Sequence, residues 1–298
     1  MEAEDGRLLD ALRGVRWPAQ RPPRFAAPGA HRARPPEPSA ELSEFRPYRP
    51  GEEARCIDWK LLARTDRAFV RLAPGHSRQG TMVLLGAGAG MAWPEATRAK
   101  WRQARRLALG LAAVAQQGGD PVGLMLVTGS GDVAQVPAGT HALALRRIAR
   151  QAAEALPQGR VRLAGALAQC RARRLVVIGD FLDDDADNAA LIRGAAQFCA
   201  QGREVLAVQV LDDAELNPPR GLSVLRDLHD PGLMRSLDGA ARRQYLENLN
   251  GWRRSLAQQW RGAGARFLTL RSGADAAAAV RRIAAGQVQD EIAAGGRP

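Results

Sequence analysis

The stretch Thr81-Met-Val-Leu-Leu85-Gly86-Ala-Gly88-Ala-Gly90 joins a continuous apolar run to three glycines at alternate positions. An apolar run this short, with no alternation, reads as a strand buried on both faces, which places it inside a parallel sheet covered by helices. The glycines then form a loop at the carboxyl end of that strand, the edge at which ligands collect in open α/β sheets. An exposed, flexible loop on a rigid scaffold is expected there.

The same alternation continues along the chain. Residues 97–117 read as a helix closed by Gly118-Gly119. Residues 120–128 are a second buried strand, and Thr128-Gly-Ser-Gly-Asp132 is a hairpin turn into a strand over 133–136. Thr140 is expected to cap a helix reaching about residue 155, and a further helix covers 163–171. Residues 174–180 form a buried strand ending on the carboxylate of Asp180, after which Asp187 is expected to cap a helix over 188–200. Strands at 204–210, 222–225 and 266–270 and helices at 236–260 and 275–285 complete the pattern. Buried strands alternating with helices predict a three-layer, doubly wound α/β domain with a mostly parallel sheet and one antiparallel edge strand. That domain is placed at 78–287. Residues 1–40 read as a Pro/Arg-rich, partly extended arm whose spacing allows a short helix over 7–15, residues 41–77 as an elaboration, and 288–298 as a tail.

Of 43 basic residues only Lys60 and Lys100 are lysines, and the formal net charge is +12. The charge is uneven: 121–175 carry eight Arg against two acids, and 176–235 carry five Arg against eleven acids. No aromatics interleave with the arginine clusters, so nucleic acid is not the expected partner. The three cysteines, Cys56, Cys170 and Cys199, are far apart, which fits buried thiols in a reducing compartment. The start Met-Glu-Ala-Glu-Asp has no apolar core of a signal peptide, and no apolar run is long enough to span a bilayer, so a cytoplasmic location is expected.

Motifs of chemistry fail on spacing. G-x-G-x-x-G would need glycine where Met91 stands, and no G-K-[ST] or G-x-S-x-G occurs. The four histidines form no H-E-x-x-H. The acidic run Asp183-Asp-Asp-Ala-Asp187-Asn188 lacks the Gly and Glu of a calcium loop and reads as a solvated helix start. No catalytic constellation and no cofactor are therefore expected.

A resemblance enters upstream. Tyr48-x-Pro-Gly51-x-x-x-Arg55-x-Ile57-Asp58-Trp59-x-x-x-Ala63-Arg64, followed by a buried strand, resembles the signature of domain-of-unknown-function family 58. Gly119-Asp-Pro-Val-Gly123 and Val-Val-Ile-Gly-Asp180-Phe resemble the same family downstream. The resemblance implies a von Willebrand factor A-like fold and a non-enzymatic adaptor role beside a MoxR-type AAA+ ATPase, acting on an unidentified client. It also implies a metal position formed by an Asp-x-Ser-x-Ser run, a Thr and an Asp. Here the run aligns with Gly86-x-Gly88-x-Gly90, the Thr falls near Gly159-Arg160, and only Asp180 remains. Glycine offers no side-chain oxygen and an arginine repels a cation, so a dead metal site is expected.

Within the box, Arg55 and Asp58 are spaced to pair on a helical turn, and Ile57 and Trp59 are suited to pin the segment to the sheet edge. The candidate binding residues are Tyr48, Arg55, Asp58, Trp59 and Arg64 in the box, and Gly86, Gly88, Gly90, Arg160 and Asp180 at the top of the sheet. Two rival readings stand beside the adaptor: metal-dependent binding through Asp180, and basic nucleic-acid binding.

Overall fold

A computed structural model describes residues 3–19, 31–32, 45–48, 59–71, 76–77, 80–182, 185–219, 224–226, 234–287 and 291–292. The chain divides into two compact units, one of residues 1–18 with 80–298 and one of 19–79.

The first helix, α1 (Ala3–Ala11), lies earlier than the 7–15 expected. It belongs to the larger unit, not to an extended arm, because Leu8, Leu12 and Trp17 are buried in that unit's core. Arg174 fastens the segment that follows: its guanidinium lies 4.1 Å over the Trp17 ring and donates to the Pro18 carbonyl at 3.1 Å. Glu204, at 3.1 Å, balances this buried charge.

In the smaller unit, β1 (His31–Arg32) pairs antiparallel with β4 (His76–Ser77), and β2 (Phe45–Pro47) with β3 (Phe69–Arg71). The helix α2 (Trp59–Thr65) lies between β2 and β3 in the chain.

The larger unit is built on one sheet. Its strands are β5 (Thr81–Ala87), β6 (Val122–Thr128), β7 (Val133–Gly139), β8 (Arg174–Gly179), β9 (Glu204–Leu211), β12 (Arg266–Arg271) and the two-residue β13 (Glu291–Ile292), in the order β13-β12-β9-β8-β5-β6-β7. Every pairing is parallel except β6 with β7. This is the doubly wound α/β sheet with one antiparallel strand that the apolar runs predict. The tail supplies β13, which its polar sequence does not announce.

Alternation inside the apolar strands sorts their side chains to two faces. Val83, Leu85 and Ala87 join the core beneath α1, α3 (Ala99–Gln117), α4 (Ala142–Glu154) and α9 (Ala276–Ala284). Met82 and Leu84 join the core beneath α5 (Leu163–Gln169), α6 (Asp185–Ala200) and α8 (Gly239–Gly262). Each buried Leu or Val contributes about 1.5–3 kcal/mol, so this two-faced burial dominates the stability. The remaining elements are α7 (Asp213–Leu216) and the hairpin of β10 (Val224–Arg226) with β11 (Met234–Ser236).

Two expected caps differ. The N-cap of α4 is His141, not Thr140, and it makes no side-chain capping bond. Asp187 sits inside α6 and instead accepts from the Leu163 and Ala164 amides at 2.8 and 3.4 Å. A carboxylate brought across the fold reaches free amides at the start of α5, a pairing that sequence proximity does not suggest.

Candidate functional site at the carboxyl edge of the sheet

Strands β5 and β8 pair side by side, Leu85 opposite Ile178, and both end at the same edge. Beyond β5 the chain makes a 3-10 turn, Ala89–Ala92, instead of an open loop. Gly86, Gly88 and Gly90 are all buried, which corrects the expectation of an exposed glycine loop. The physical reason is Asp180, which follows β8 and fills the space over Gly90. A Cβ built on Gly90 would run into Asp180 Oδ2. Gly86 is less constrained, since its Cβ would make only ordinary contact with Leu163, at 3.5 Å.

Asp180 is 2% exposed. Lys100 Nζ, on the first turn of α3, donates to Asp180 Oδ2 at 3.0 Å and to Glu215 Oε1 at 2.8 Å. The Asp180 carbonyl accepts from Gln209 Nε2 at 3.1 Å, and Thr269 Oγ1 lies 3.1 Å from Gln209 Oε1. Glu215 is placed by a capping box: its Oε2 accepts from the Asp212 amide at 2.7 Å while the Asp212 carboxylate accepts from Ala214 N. Tyr245, on α8, donates to the Glu215 carbonyl at 2.9 Å. The ammonium is thus held by two carboxylates, after β8 and on α7, that meet it only in the folded chain.

Burial alone would lower the Lys100 pKa, but Asp180 and Glu215 outweigh it and the net shift is upward, so the ammonium stays charged. Burial raises the Glu215 pKa, and the nearby Asp180 charge adds to the rise; Lys100 opposes both. These directions favour opposite charge states within one ion pair. We take the ammonium as the fixed charge, because Lys100 is fully buried with two carboxylate partners whereas the Glu215 side chain is 15% exposed. Burial also pushes the Tyr245 hydroxyl up to about 12, helped by the Glu215 charge.

The residues here do not fit a divalent cation. Gly86, Gly88 and Gly90 bring no side-chain oxygen, and the Asp180 carboxylate already holds an ammonium at 3.0 Å. A hard cation requires about six oxygen ligands and would meet that positive charge at contact distance. The cavity beside Asp180, about 20 Å³, is bounded by Gly86, Gly179, Asp180 and Asp187, with room for about one water.

Arg160 does not touch Asp180. It lies on the segment 155–162, which is clamped into the edge of the sheet: Gln158 N donates to the Ala87 carbonyl at 3.0 Å and Ala89 N to the Gly159 carbonyl at 2.8 Å. Gly129 forms an isolated parallel bridge to Gly159, and a Cβ on Gly129 would collide with the Gln158 carbonyl.

A family model described as "Protein of unknown function DUF58" matches residues 44–251. The chain belongs to this family. Among relatives, uncharacterized proteins of Mycobacterium tuberculosis and Mycobacterium bovis are each 29% identical over 305 residues, covering 98% of this chain and 93% of theirs. Among solved structures, the pilus adhesin SpaC of Lactobacillus rhamnosus GG aligns with TM-score 0.42 and 14% identity over 70% of this chain and 30% of that one. The manganese-loaded TRAP protein of Plasmodium vivax aligns with TM-score 0.35 and 10% identity over 44% of this chain and 57% of that one.

In this DUF58 chain the candidate residues do not form one described cluster. Gly90 packs against Asp180, which holds Lys100; Gly86 shares the small cavity beside Asp180, and Arg160 stands on the neighbouring segment. Tyr48, Trp59 and Arg64 belong to the smaller unit, and Arg55 and Asp58 lie outside the described residues. Trp59 is 60% exposed. Sequence reasoning missed Lys100 and Glu215 altogether. One signal was available: a lysine retained where nearly every basic residue is arginine marks a place suited to a compact ammonium and not a planar fork.

Proposed function

We propose that this DUF58 chain is a non-enzymatic protein–protein interaction module that works without a metal ion. In this reading the Lys100 ammonium takes the electrostatic place of a divalent cation at the carboxyl edge of the sheet. The observation that carries it is the full burial of Lys100 between Asp180 and Glu215. A buried, doubly paired ammonium is poorly suited to acid–base exchange with a substrate, and it leaves Asp180 committed to a structural charge. Metal-dependent binding through Asp180 would require Lys100 to be expelled from its partners. The finer assignment, a cytoplasmic adaptor for a MoxR-type AAA+ ATPase acting on a client protein, rests on the family resemblance.

Two measurements test the proposal. The purified chain, mixed with a MoxR-type ATPase of the same organism, is expected to form a complex in size-exclusion chromatography and biolayer interferometry. Absence of a complex with the ATPase in its ATP, ADP and nucleotide-free states would overturn the partner assignment. Calorimetry with magnesium and manganese is expected to give no binding heat. Metal binding that disappears in Asp180→Asn would overturn the metal-free reading.

A further inference from the structure

The segment 155–162 presents two arginines in a fixed manner. Its backbone is held by the hydrogen bonds to Ala87 and Ala89 and by the bridge between Gly159 and Gly129. Pro157 and Val161 are buried, while Arg160 and Arg162, flanking Val161, are exposed. Alternate residues of an extended chain project to the same side, about 7 Å apart. Both side chains line an open cleft of about 600 Å³, whose wall also includes Ser130 and Gln169. Asp187 also lines it, but its carboxylate is engaged with the Leu163 and Ala164 amides. Ser130 Oγ donates to Asp132 Oδ2 at 2.8 Å within the adjoining turn. Among the described residues, neither Arg160 nor Arg162 has an ion pair. Elsewhere Arg174 is buried against Glu204, and Arg271 is paired with Asp213 at 3.1 Å.

From this geometry we infer that the Arg160/Arg162 cleft is a docking site for an extended acidic segment of a partner protein, with carboxylates at alternate positions. Each guanidinium offers a planar fork that a carboxylate fills with two hydrogen bonds. A pre-positioned backbone lowers the ordering that such recognition otherwise requires. The cleft gives the partner's side chains a seat, and the arginines set their register. This inference rests on the reading of the chain as an interaction module and assigns to it the chemistry of one partner segment.

The test uses the full chain and a fluorescein-labelled peptide in which glutamate alternates with serine, followed by anisotropy. The Arg160→Gln/Arg162→Gln variant is expected to bind the peptide roughly tenfold or more weakly. Two controls accompany it. Arg146→Gln/Arg147→Gln removes the same charge from the exposed face of α4 and is expected to leave binding unchanged. A peptide with glutamine in place of glutamate is expected not to bind. Unchanged melting of both variants shows that the fold survives, since all four arginines are exposed. Equal binding by the Arg160/Arg162 variant, or an equal loss in the Arg146/Arg147 control, overturns the inference. So does a single-stranded DNA of matched charge that binds more tightly than the peptide and depends on Arg160 and Arg162. These outcomes leave the ATPase complex untouched, so the two readings fail separately.

Discussion

Replacing Lys100 with methionine keeps much of the side-chain volume and removes the ammonium. Asp180, with 3% of its side chain exposed, and Glu215, with 15%, would then be left as adjacent buried carboxylates. Breaking a buried pair by removing one partner costs about 3–5 kcal/mol. In a domain of this size 1 kcal/mol shifts the midpoint by about 2–4 °C, so a fall of roughly 6–20 °C is expected at neutral pH. Chemical denaturation followed by tryptophan fluorescence reports the same loss, since Trp101 and Trp260 are both buried in the larger unit. The pH dependence carries a sign. Burial already raises the Glu215 pKa, and removing Lys100 raises it further, so the folded variant takes up protons more readily than the unfolded chain. Its deficit should therefore shrink as pH falls toward the carboxylate range and grow as pH rises. In the parent chain the Lys100 pKa is raised from 10.5. Its stabilisation is accordingly present below that value and lost as pH climbs through the folded value. The triple variant Lys100→Met/Asp180→Asn/Glu215→Gln, which carries no charge at the site, should recover most of the loss. A Lys100→Met protein within about 1 kcal/mol of the parent, or a deficit that does not change with pH, would refute the reasoning.

Two further outcomes follow from the same structure. The chain has two tyrosines, and Tyr245 is expected to ionise at about 12, so phenolate absorbance should show a high transition that disappears in Tyr245→Phe. Because that pKa is raised from 10.0, folding stability should fall between there and the folded value; a Tyr245 transition near 10, identified by its loss in Tyr245→Phe, would contradict the burial of Tyr245. Arg174→Ala removes the cation beside Glu204 and the clamp on Trp17 and Pro18, and about 3 kcal/mol or more of stability should go with it. Trypsin should then cut faster after the exposed Arg16, and an unchanged cleavage rate there would exclude the clamp.

The apolar runs at 81–85, 120–128, 174–180, 204–210 and 266–270 by themselves determined that the chain builds a doubly wound sheet. A strand buried on both faces leaves a local record: a run in which most side chains are apolar, without alternation. The box from Tyr48 to Arg64 and its downstream echoes likewise carried the family. Asp180 was legible as a candidate because it ends such a run. Its partner was not. Lys100 is 80 residues away, at the start of a helix, and Glu215 is 115 residues from Lys100, in a four-residue helix. No periodicity or spacing joins them, since ion pairing acts through space and leaves no pattern along the chain. The glycines show the same division. Their sequence spoke of a mobile loop, but only the packed Asp180 carboxylate showed why Gly90 carries no side chain and why the loop is closed. Composition and alternation decided which residues go inside; the meeting of distant elements decided which charge sits at the edge of the sheet and which arginines line the open cleft beside it.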